Sequence, residues 1–200
     1  MSVDSGASDR HTAVGKRRAV FIDRDGTINV EKEYLHRPEE FEFIPGAAEA
    51  IRILGEAGFI VVVVTNQSGV ARGFYTEDDV RSLHRYMDHL LVQVGARVDA
   101  YYFCPHHPDN GIGKYRIACN CRKPLPGMLQ QAAGELGIDL RSSWMIGDKL
   151  ADLEAGNSAG CRSALVLTGY GATEQLSLPA ATAVFSDLLA AAEAILSETV

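Results

Sequence analysis

The run of apolar residues from Phe59 to Val64 constrains the fold more than any other segment of the chain. It is dominated by valine, a residue type enriched in strands, and it ends at Thr65. Because apolar and polar residues do not alternate within it, the run predicts a strand, 59–65, that is covered on both faces. Strands of this kind occur in parallel sheets with helices on each side, so an α/β fold is expected.

The rest of the chain alternates between short β-branched runs and stretches with helical spacing, which is typical of βαβ units. Further strands are predicted at 19–23, 98–103, 143–146 and 163–167, and once more near the C terminus. Helices are predicted after Pro45-Gly46, after Thr76, at 126–136, at 149–159 and ending near Leu196. We therefore expect a three-layer fold with a central parallel sheet, whose ligands bind beyond the carboxyl ends of the strands.

Composition limits the class of protein. The chain has 200 residues, of which 46% are hydrophobic and 22% are charged, which are ordinary values for a globular domain; we expect one domain over 18–200. Residues 1–17 are polar and predict a disordered tail without the apolar segment of a secretory signal. The longest apolar run has six residues, whereas a membrane helix needs about 20, so no membrane partner is expected. A net charge of −7 disfavours nucleic acid, and a cytoplasmic monomer is the expectation.

Two carboxylates, Asp23 and Asp25, stand at the end of the first predicted strand. Residues two apart on an extended chain point to the same side, so both belong to one site. Alone, the pair could form a simple turn with Gly26. Three further motifs lie at strand ends or helix starts, namely Thr65-Asn66, Arg122-Lys123-Pro124 and Gly147-Asp148-Lys149 followed by Asp152. Together they predict one phosphate site.

The acidic residues of these motifs predict a divalent cation. Asp148 and Asp152 are four residues apart at a helix start, where like charges repel each other. Asp23 and Asp25 add further negative charge where a phosphate should bind. Mg²⁺ removes this conflict, because it binds carboxylates together with phosphate oxygens, and Lys123 is expected to neutralise the remaining charge.

The motifs D-R-D-G-T, V-V-T-N, C-R-K-P and G-D-K-x-x-D resemble those of the haloacid dehalogenase (HAD) superfamily, from about residue 18 to 170. The resemblance implies a Rossmann-like HAD fold in which Asp23 is the nucleophile that forms an aspartyl phosphate. It implies that Asp25 protonates the leaving oxygen and then activates water. Mg²⁺ would be held by Asp23, the backbone carbonyl of Asp25, and Asp148. Dehalogenases of the superfamily lack an acid at the position of Asp25, so phosphatase activity is expected.

A second metal site is predicted in residues 104–121. Its three thiolates and one imidazole form a complete tetrahedral zinc set: Cys104, His106, Cys119 and Cys121. Because no position remains open for water, the zinc is expected to be structural. It would order a loop that is poor in apolar residues and would place the adjacent Arg122 and Lys123.

Two alternatives remain for this loop. The thiols could be reduced and unligated, and His107 could replace His106 as a ligand. His106 is favoured because adjacent residues rarely reach one metal, and Pro105 and Pro108 constrain the backbone. Cys161 stands apart and is expected to be a buried apolar residue.

Longer stretches resemble one branch of the superfamily, the heptose-bisphosphate phosphatases: D-R-D-G-T-I-N, V-T-N-Q-S-G-V-A-R-G, F-C-P-H-H-P-D and C-N-C-R-K-P-x-P-G-M. The resemblance implies removal of the 7-phosphate from D-glycero-D-manno-heptose 1,7-bisphosphate, in the synthesis of nucleotide-activated heptose for lipopolysaccharide or surface-layer glycans. It implies catalytic Mg²⁺ and structural Zn²⁺. The anomer preferred at C1 is left open.

The same resemblance implies the residues that contact substrate. Thr65 and Lys123 would contact the transferring phosphoryl group. The substrate pocket would be lined by Asn66, Gln67, Ser68, Arg122 and Lys149. Arg122 would read the second phosphate, because a guanidinium binds phosphate bidentately, unless it forms a surface salt bridge. Glu31 and Tyr34, in the flap after the first strand, would contact sugar hydroxyls.

No insertion at 27–45 or 65–104 is long enough for a large cap domain, so an open pocket is expected. Three other functions remain. Histidinol-phosphate phosphatases share the nucleophile motif and the zinc loop. A nucleic-acid 3′-phosphatase belongs to the same superfamily, but the acidic net charge argues against it. A zinc-stapled interaction domain with a vestigial D-x-D-G-T loop is the alternative that is not an enzyme.

Overall fold

The computed structural model describes residues 17–179 and 181–198. Its centre is a sheet of six parallel strands in the order β3-β2-β1-β4-β5-β6. The strands are β1 (Ala19–Ile22), β2 (Ile60–Asn66), β3 (Ala100–Cys104), β4 (Trp144–Gly147), β5 (Arg162–Val166) and β6 (Ala183–Phe185). The chain builds outward from β1 to β3 and then returns to place β4 on the other side of β1. The strand order therefore reverses between β1 and β4.

Helices cover both faces of the sheet. They are α1 (Ala47–Glu56), α2 (Ser68–Ala71), α3 (Glu77–Gln93), α4 (Gly127–Leu136), α5 (Leu150–Ala159), α6 (Gly171–Glu174) and α7 (Leu188–Ser197). Residues of α1, α3 and α7 share one apolar layer with the sheet, whereas α4 and α5 share the other. The predicted three-layer fold with a central parallel sheet is therefore confirmed.

Two local predictions show why these segments fold as they do. The first six residues of β2 are all buried, as expected for a strand covered on both faces. At the start of α3, the Thr76 hydroxyl accepts a hydrogen bond from the backbone N–H of Asp79, and the Asp79 carboxylate accepts one from the backbone N–H of Thr76. This capping box satisfies two N–H groups that the helix cannot pair internally.

The two segments that were expected to be too short for a large cap domain contain none. Residues 27–45 contain only one short 3-10 turn, Pro38–Glu40, and only α2 and α3 lie between β2 and β3. The sequence did not predict the short helices α2 and α6.

Residues 1–16 of the predicted tail lie outside the described residues, and Arg17 forms a bridge with Ile138. Among the described residues, no helix combines the length and apolar character needed to cross a bilayer.

Candidate active site

A cavity of about 330 Å³ opens at the carboxyl ends of the central strands. Asp23 directly follows β1 and Asp148 directly follows β4, and these strands are neighbours, with Ile22 paired to Ile146. After β1 the chain continues to one face of the sheet, and after β4 it continues to the other face. This divergence creates a crevice at the point where the strand order reverses. The cavity is lined by Asp23, Asp25, Glu31, Glu33, Tyr34, Thr65, Asn66, Gln67, Ser68, Tyr75, Lys123, Lys149, Ala151, Asp152 and Tyr170.

Three buried carboxylates meet beside this cavity. Asp23, Asp148 and Asp152 each offer an oxygen that lies within 4.8 Å of the others. All three side chains are buried. Burial, together with the charge of Asp23, raises the pKa of Asp148 to about 8 and that of Asp152 to about 6. The cluster thus favours binding of protons or of a cation, as burial of like charges requires.

Asp148 has the contacts expected of a cation ligand. Its Oδ2 accepts a hydrogen bond from the backbone N–H of Tyr170 at 2.9 Å, but its buried Oδ1 has no hydrogen-bond partner among the described residues. A buried carboxylate oxygen without a partner is costly, and a metal ion at this position would satisfy it. Gly26 and Gly169 have φ of +85° and +56°, and a Cβ atom on either would overlap the Asp148 carboxylate. Asp23 and Asp148 therefore fit a divalent cation.

Asp152 has a different set of partners. Its Oδ1 lies 2.6 Å from the ammonium nitrogen of Lys123, and its Oδ2 accepts a hydrogen bond from the backbone N–H of Lys149. Both oxygens are thus engaged, so Asp152 holds the lysine in place rather than lying open to a metal. Sequence reasoning placed Asp152 in the acidic group but did not find this contact.

Lys123 stands at the centre of the charge arrangement. Its Nζ lies 2.8 Å from Asp23 Oδ1 and donates a hydrogen bond to the Val64 carbonyl at 2.7 Å. Burial would lower the pKa of Lys123, but Asp152 and Asp23 raise it above its ordinary value, so the ammonium stays charged. The side-chain amide of Asn66 donates to the Lys123 carbonyl and accepts from the Lys123 backbone N–H. Asn66 therefore positions Lys123 as well as lining the cavity.

Asp25 is held by three donors. Arg24 reaches both carboxylate oxygens, Asn29 donates to Oδ1 at 3.0 Å, and Gln67 donates to Oδ2 at 2.9 Å. Burial raises the pKa of Asp25, but Arg24 and the two amides outweigh burial and hold the pKa below its ordinary value. These donors thus favour the carboxylate form of Asp25, which can accept a proton.

Gln67 connects Asp25 to the end of β2. The Gln67 amide nitrogen also donates to the Thr65 hydroxyl at 2.8 Å, and its oxygen accepts from the Tyr75 hydroxyl at 2.7 Å. Since Thr65 accepts this bond, its own hydroxyl can donate toward the cavity. Gln67 and Thr65 are both buried. The structure thus brings these two predicted residues together with Asp25, and Ser68 lines the same cavity.

The flap contributes Glu31, Glu33 and Tyr34 to the cavity. Glu31 lies 3.2 Å from the ammonium of Lys149, which also lies 4.5 Å from the centre of the Tyr170 ring. Burial would lower the pKa of Lys149, but nearby carboxylates raise it. Asp148 has the largest effect among them. Glu33 and Tyr34 have φ of +43° and +57°, a region that favours glycine, so the surrounding contacts hold this turn.

Arg122 does not lie among the described residues that line the cavity. Its Nη1 donates to the His106 carbonyl at 3.3 Å, so it packs on the loop 104–121. Sequence reasoning missed Arg72, whose Nε is buried without a hydrogen-bond partner among the described residues. Burial lowers the pKa of His107, and the charges of Arg122 and Arg72 lower it further. The Arg72 guanidinium carbon is 5.9 Å from the ring centre of Tyr34.

The four predicted zinc ligands come together, with one atom of each within 4.8 Å of the others. The sulfur of Cys121 lies 3.2 Å from those of Cys104 and Cys119, and the Nδ1 atom of His106 lies 3.4 Å from Cys121. No cysteine of the chain forms a disulfide. His107 instead accepts hydrogen bonds from the backbone N–H groups of Asp109 and Asn110. Three thiols and one imidazole at these distances fit a tetrahedral zinc ion.

Two buried residues beside the site, Arg24 and His84, were not predicted from the sequence. Arg24 lies between Asp23 and Asp25, and its side chain is fully buried. A buried arginine requires a partner for its charge, and the adjacent Asp25 carboxylate supplies it. His84, which contacts Arg24, carried no motif at all.

Comparisons with known proteins agree with this geometry. The HAD-hydrolase-like family model matches residues 120–191. The D-glycero-β-D-manno-heptose-1,7-bisphosphate 7-phosphatase of Yersinia pestis is 49% identical over 158 residues, which cover 78% of this chain and 84% of that protein. The protein of the same name from Escherichia coli K12 is 47% identical over 158 residues, covering 78% and 83%. A crystal structure of D,D-heptose 1,7-bisphosphate phosphatase from B. bronchiseptica, complexed with magnesium and phosphate, has a TM-score of 0.82 and 40% identity, covering 90% of this chain and 99% of that one.

Proposed function

The chain belongs to the family of D-glycero-β-D-manno-heptose-1,7-bisphosphate 7-phosphatases, and we propose that it removes the 7-phosphate of that sugar bisphosphate. It is a HAD phosphatase, and its place is in the synthesis of nucleotide-activated heptose for lipopolysaccharide. One observation carries the proposal. Asp23 lies beside Asp148 at the reversal of the strand order, with the Lys123 ammonium 2.8 Å from its carboxylate, in a cavity large enough for a sugar phosphate.

In the first step, a carboxylate oxygen of Asp23 attacks the phosphorus, forming an O–P bond as the bond to the sugar oxygen breaks. Lys123 and the backbone N–H of Arg24 bind Asp23 Oδ1 and fix the carboxylate in place. Thr65 supplies a hydroxyl donor for the oxygens of the phosphoryl group, which carry charge in the transition state. Lys123 supplies its positive charge, since its three N–H donors are engaged by Asp23, Asp152 and the Val64 carbonyl. When bound by Asp23, Asp148 and the Asp25 carbonyl, Mg²⁺ would supply the charge neutralisation that brings an anionic ester to an anionic nucleophile.

Asp25 serves the other oxygens of the reaction. As a carboxylic acid it gives a proton to the departing sugar oxygen, and as a carboxylate it takes a proton from the water that hydrolyses the aspartyl phosphate. It lines the same cavity as Asp23 and keeps part of its side chain accessible. Its lowered pKa suits the second of these roles.

The second phosphate of the substrate is assigned to Arg122 together with Arg72. The guanidinium carbon of Arg72 lies 5.9 Å from the ring centre of Tyr34, which lines the cavity, and the unpartnered Nε of Arg72 can donate to an anion. Arg122 packs on the neighbouring loop through the His106 carbonyl. R122A and R72A should each raise KM for the bisphosphate about 10-fold or more, the effect of losing a hydrogen bond to a charged group. KM for heptose 7-phosphate, which lacks the second phosphate, should change little. Equal changes with both substrates would contradict the assignment.

The cysteine and histidine cluster is assigned to structural Zn²⁺. All four positions of the ion would be filled by protein, so no water remains for catalysis. The loop it would hold is connected to the active site, because the Cys104 carbonyl accepts a hydrogen bond from the backbone N–H of Gln67 at 2.8 Å. Three thiols available for a metal require a reducing compartment, and a cytoplasmic location is proposed on that basis. The protein is proposed to act as a monomer.

The deciding experiment is a substrate panel assayed with Mg²⁺. The β anomer of heptose bisphosphate, for which the relatives are named, is compared with the α anomer, histidinol phosphate and p-nitrophenyl phosphate. We expect the largest kcat/KM for a heptose bisphosphate. A larger kcat/KM for histidinol phosphate would replace the proposal with the histidinol-phosphate alternative, and no turnover of any ester would favour the interaction domain.

A further inference from the structure

Arg24 is the largest side chain that the fold buries completely, with 1% of it exposed. A charged guanidinium in the interior is tolerated only when other groups pair with its charge and its N–H donors. The partners of Arg24 therefore explain why an arginine occupies this position, between the two aspartates of the active site.

The first partner is Asp25. Arg24 Nη2 lies 2.8 Å and 2.9 Å from the two carboxylate oxygens, and Nε donates to Oδ1 at 3.2 Å. Asn29 and Gln67 each donate to a single oxygen of the same carboxylate. Arg24 is thus the one charged donor of the three and contacts both oxygens. A planar guanidinium that binds in this way restricts the rotation of the carboxylate as well as its position.

Two further contacts fix the guanidinium from behind. Nη2 also donates to the Leu35 carbonyl at 3.2 Å, directly after the flap residue Tyr34. Nη1 lies 3.4 Å from Nε2 of His84 on α3, and that buried ring stacks on Tyr101 with 4.4 Å between ring centres. Arg24 is therefore held by the flap on one side and by a packed helix on the other.

We propose that Arg24 is a positioning residue for proton transfer to the leaving sugar oxygen: its buried guanidinium, anchored by Leu35 and His84, sets the orientation of the Asp25 carboxyl group. This inference rests on the proposed function, because it requires that Asp25 serve the leaving group. Lysine at position 24 would keep the charge but lose the planar fork. Orientation would then be lost while the electrostatic attraction remained.

The experiment compares two substrates whose leaving groups differ in their need for a proton. The heptose alkoxide must be protonated as it departs, whereas p-nitrophenolate departs as an anion. Both substrates give the same aspartyl phosphate, whose hydrolysis also uses Asp25, so leaving-group release is measured in a single turnover, before that step. We expect R24K to lower the release rate for heptose bisphosphate about 10²-fold, the lower range for general acid catalysis, and the release rate for p-nitrophenyl phosphate less than about fivefold. KM should change less than about threefold for either substrate. D25N should show the same selectivity with an equal or larger loss.

The double variant R24K/D25N tests whether Arg24 acts through Asp25. If it does, the double variant should be no slower than D25N on heptose bisphosphate, because the group that Arg24 orients is already absent. R18K is the matched control. Arg18 is a partly buried arginine directly before β1 that packs on Phe59, outside the lining of the cavity, and its replacement should leave the rates for both substrates unchanged.

Losses of equal size on both substrates, or losses that multiply in the double variant, would overturn the proposal and make Arg24 a structural residue. If D25N itself showed no selectivity, the acid role of Asp25 in the proposed function would fail, and the inference would fail with it. Should circular dichroism show that R24K does not fold, H84L replaces it. H84L should then lower the rate for heptose bisphosphate selectively, but by less than R24K. H84Q, whose side-chain amide can still contact Arg24, should show no such loss. A loss shared equally by both substrates in H84L would overturn the inference.

Discussion

The carboxylate cluster beside the cavity and the thiol cluster of the loop 104–121 both gather metal-binding side chains, but different parts of the fold place them. Asp23 and Asp148 follow paired strands, so the register of β1 with β4 fixes them through a sheet that has its own apolar core. Loop 104–121 contains one short 3-10 turn, and two of its apolar side chains, Ile112 and Ile117, are exposed.

This difference separates two uses of a metal. At the carboxylate cluster, the sheet gathers the ligands whether or not a cation is present, and the cation relieves the repulsion among them. In loop 104–121, the apolar packing involves Tyr115 and the cysteines themselves. Binding of a zinc ion by those cysteines would therefore supply folding free energy to the loop. Loss of the first metal should stop the chemistry without unfolding the protein, and loss of the second should disorder the loop first.

The largest effect is expected for D23N. Asparagine keeps the shape of the side chain but removes the nucleophile, so kcat/KM for heptose bisphosphate should fall about 10⁴-fold or more. The circular dichroism spectrum and the zinc content should stay unchanged, because the sheet and the loop do not depend on this charge. Turnover within tenfold of the wild type would contradict the proposed mechanism.

D148N should separate activity from stability. Asparagine can still accept the hydrogen bond from Tyr170 and fits between Gly26 and Gly169, but it carries no charge. We expect kcat/KM to fall roughly 10²-fold or more through weaker Mg²⁺ binding. In Mg²⁺-free buffer, Tm should rise by about 2 °C or more, which corresponds to about 1 kcal/mol.

D78N is the control for D148N, because Asp78 is an exposed residue at the start of α3 and lies outside the cavity. D78N should change neither kcat/KM nor Tm. If Tm of D148N fell in Mg²⁺-free buffer, the repulsion among the buried carboxylates would be smaller than the structure indicates.

Loss of the thiol cluster should act mainly on substrate binding. In C121S, zinc content should fall and the loop 104–121 should become sensitive to proteolysis while the sheet remains folded. KM for heptose bisphosphate should rise about 10-fold or more, since misplacing a binding group by about 1 Å can cost 10²-fold. C161A, which alters the buried cysteine outside the cluster, should keep its zinc and its KM. Unchanged KM after verified zinc loss would mean that the loop does not place substrate-binding residues.

The smallest expected effect is the pH dependence of the free energy of unfolding. The folded-state pKa values of Asp148 and Asp152, about 8 and 6, exceed the ordinary value of 3.8, so the folded state binds protons more tightly than the unfolded state. These groups therefore favour folding below pH 4, and this contribution is lost as pH rises through 6 and 8. The free energy of unfolding in Mg²⁺-free buffer should fall by about 1 kcal/mol or more between pH 5 and 8. Saturating Mg²⁺ should reduce this slope, and an identical slope with and without Mg²⁺ would contradict the assigned cation site.

The sequence predicted the parts of the protein whose signal is local. The unbroken apolar run before Thr65 indicated a central strand, and polar motifs at strand ends indicated one site because parallel strands end at the same edge of a sheet. Asp23 and Asp148 are brought together for this reason, and Lys123 joins them from the segment before α4. The close spacing of Cys119 and Cys121 indicated a metal set in the same way.

Other features depend on contacts between distant segments and could not be predicted. Nothing near Arg24 in the sequence indicated that His84, 60 residues later, would lie against it. Arg122 follows the motif of the zinc loop, but which way its side chain turns depends on the backbone of His106. Helix α2 is only four residues long, and a segment of that length has no helical period to detect.

The position of β1 between β2 and β4 has a consequence for biosynthesis. A nascent chain that has emerged only as far as β3 carries the nucleophile, but one side of β1 then has no neighbouring strand. Exposed strand edges of this kind pair readily with other chains. We expect folding of the N-terminal half to require prompt translation of residues 144–147, or a chaperone that protects the open edge of β1. The protein should become an active phosphatase only when β4 pairs with β1.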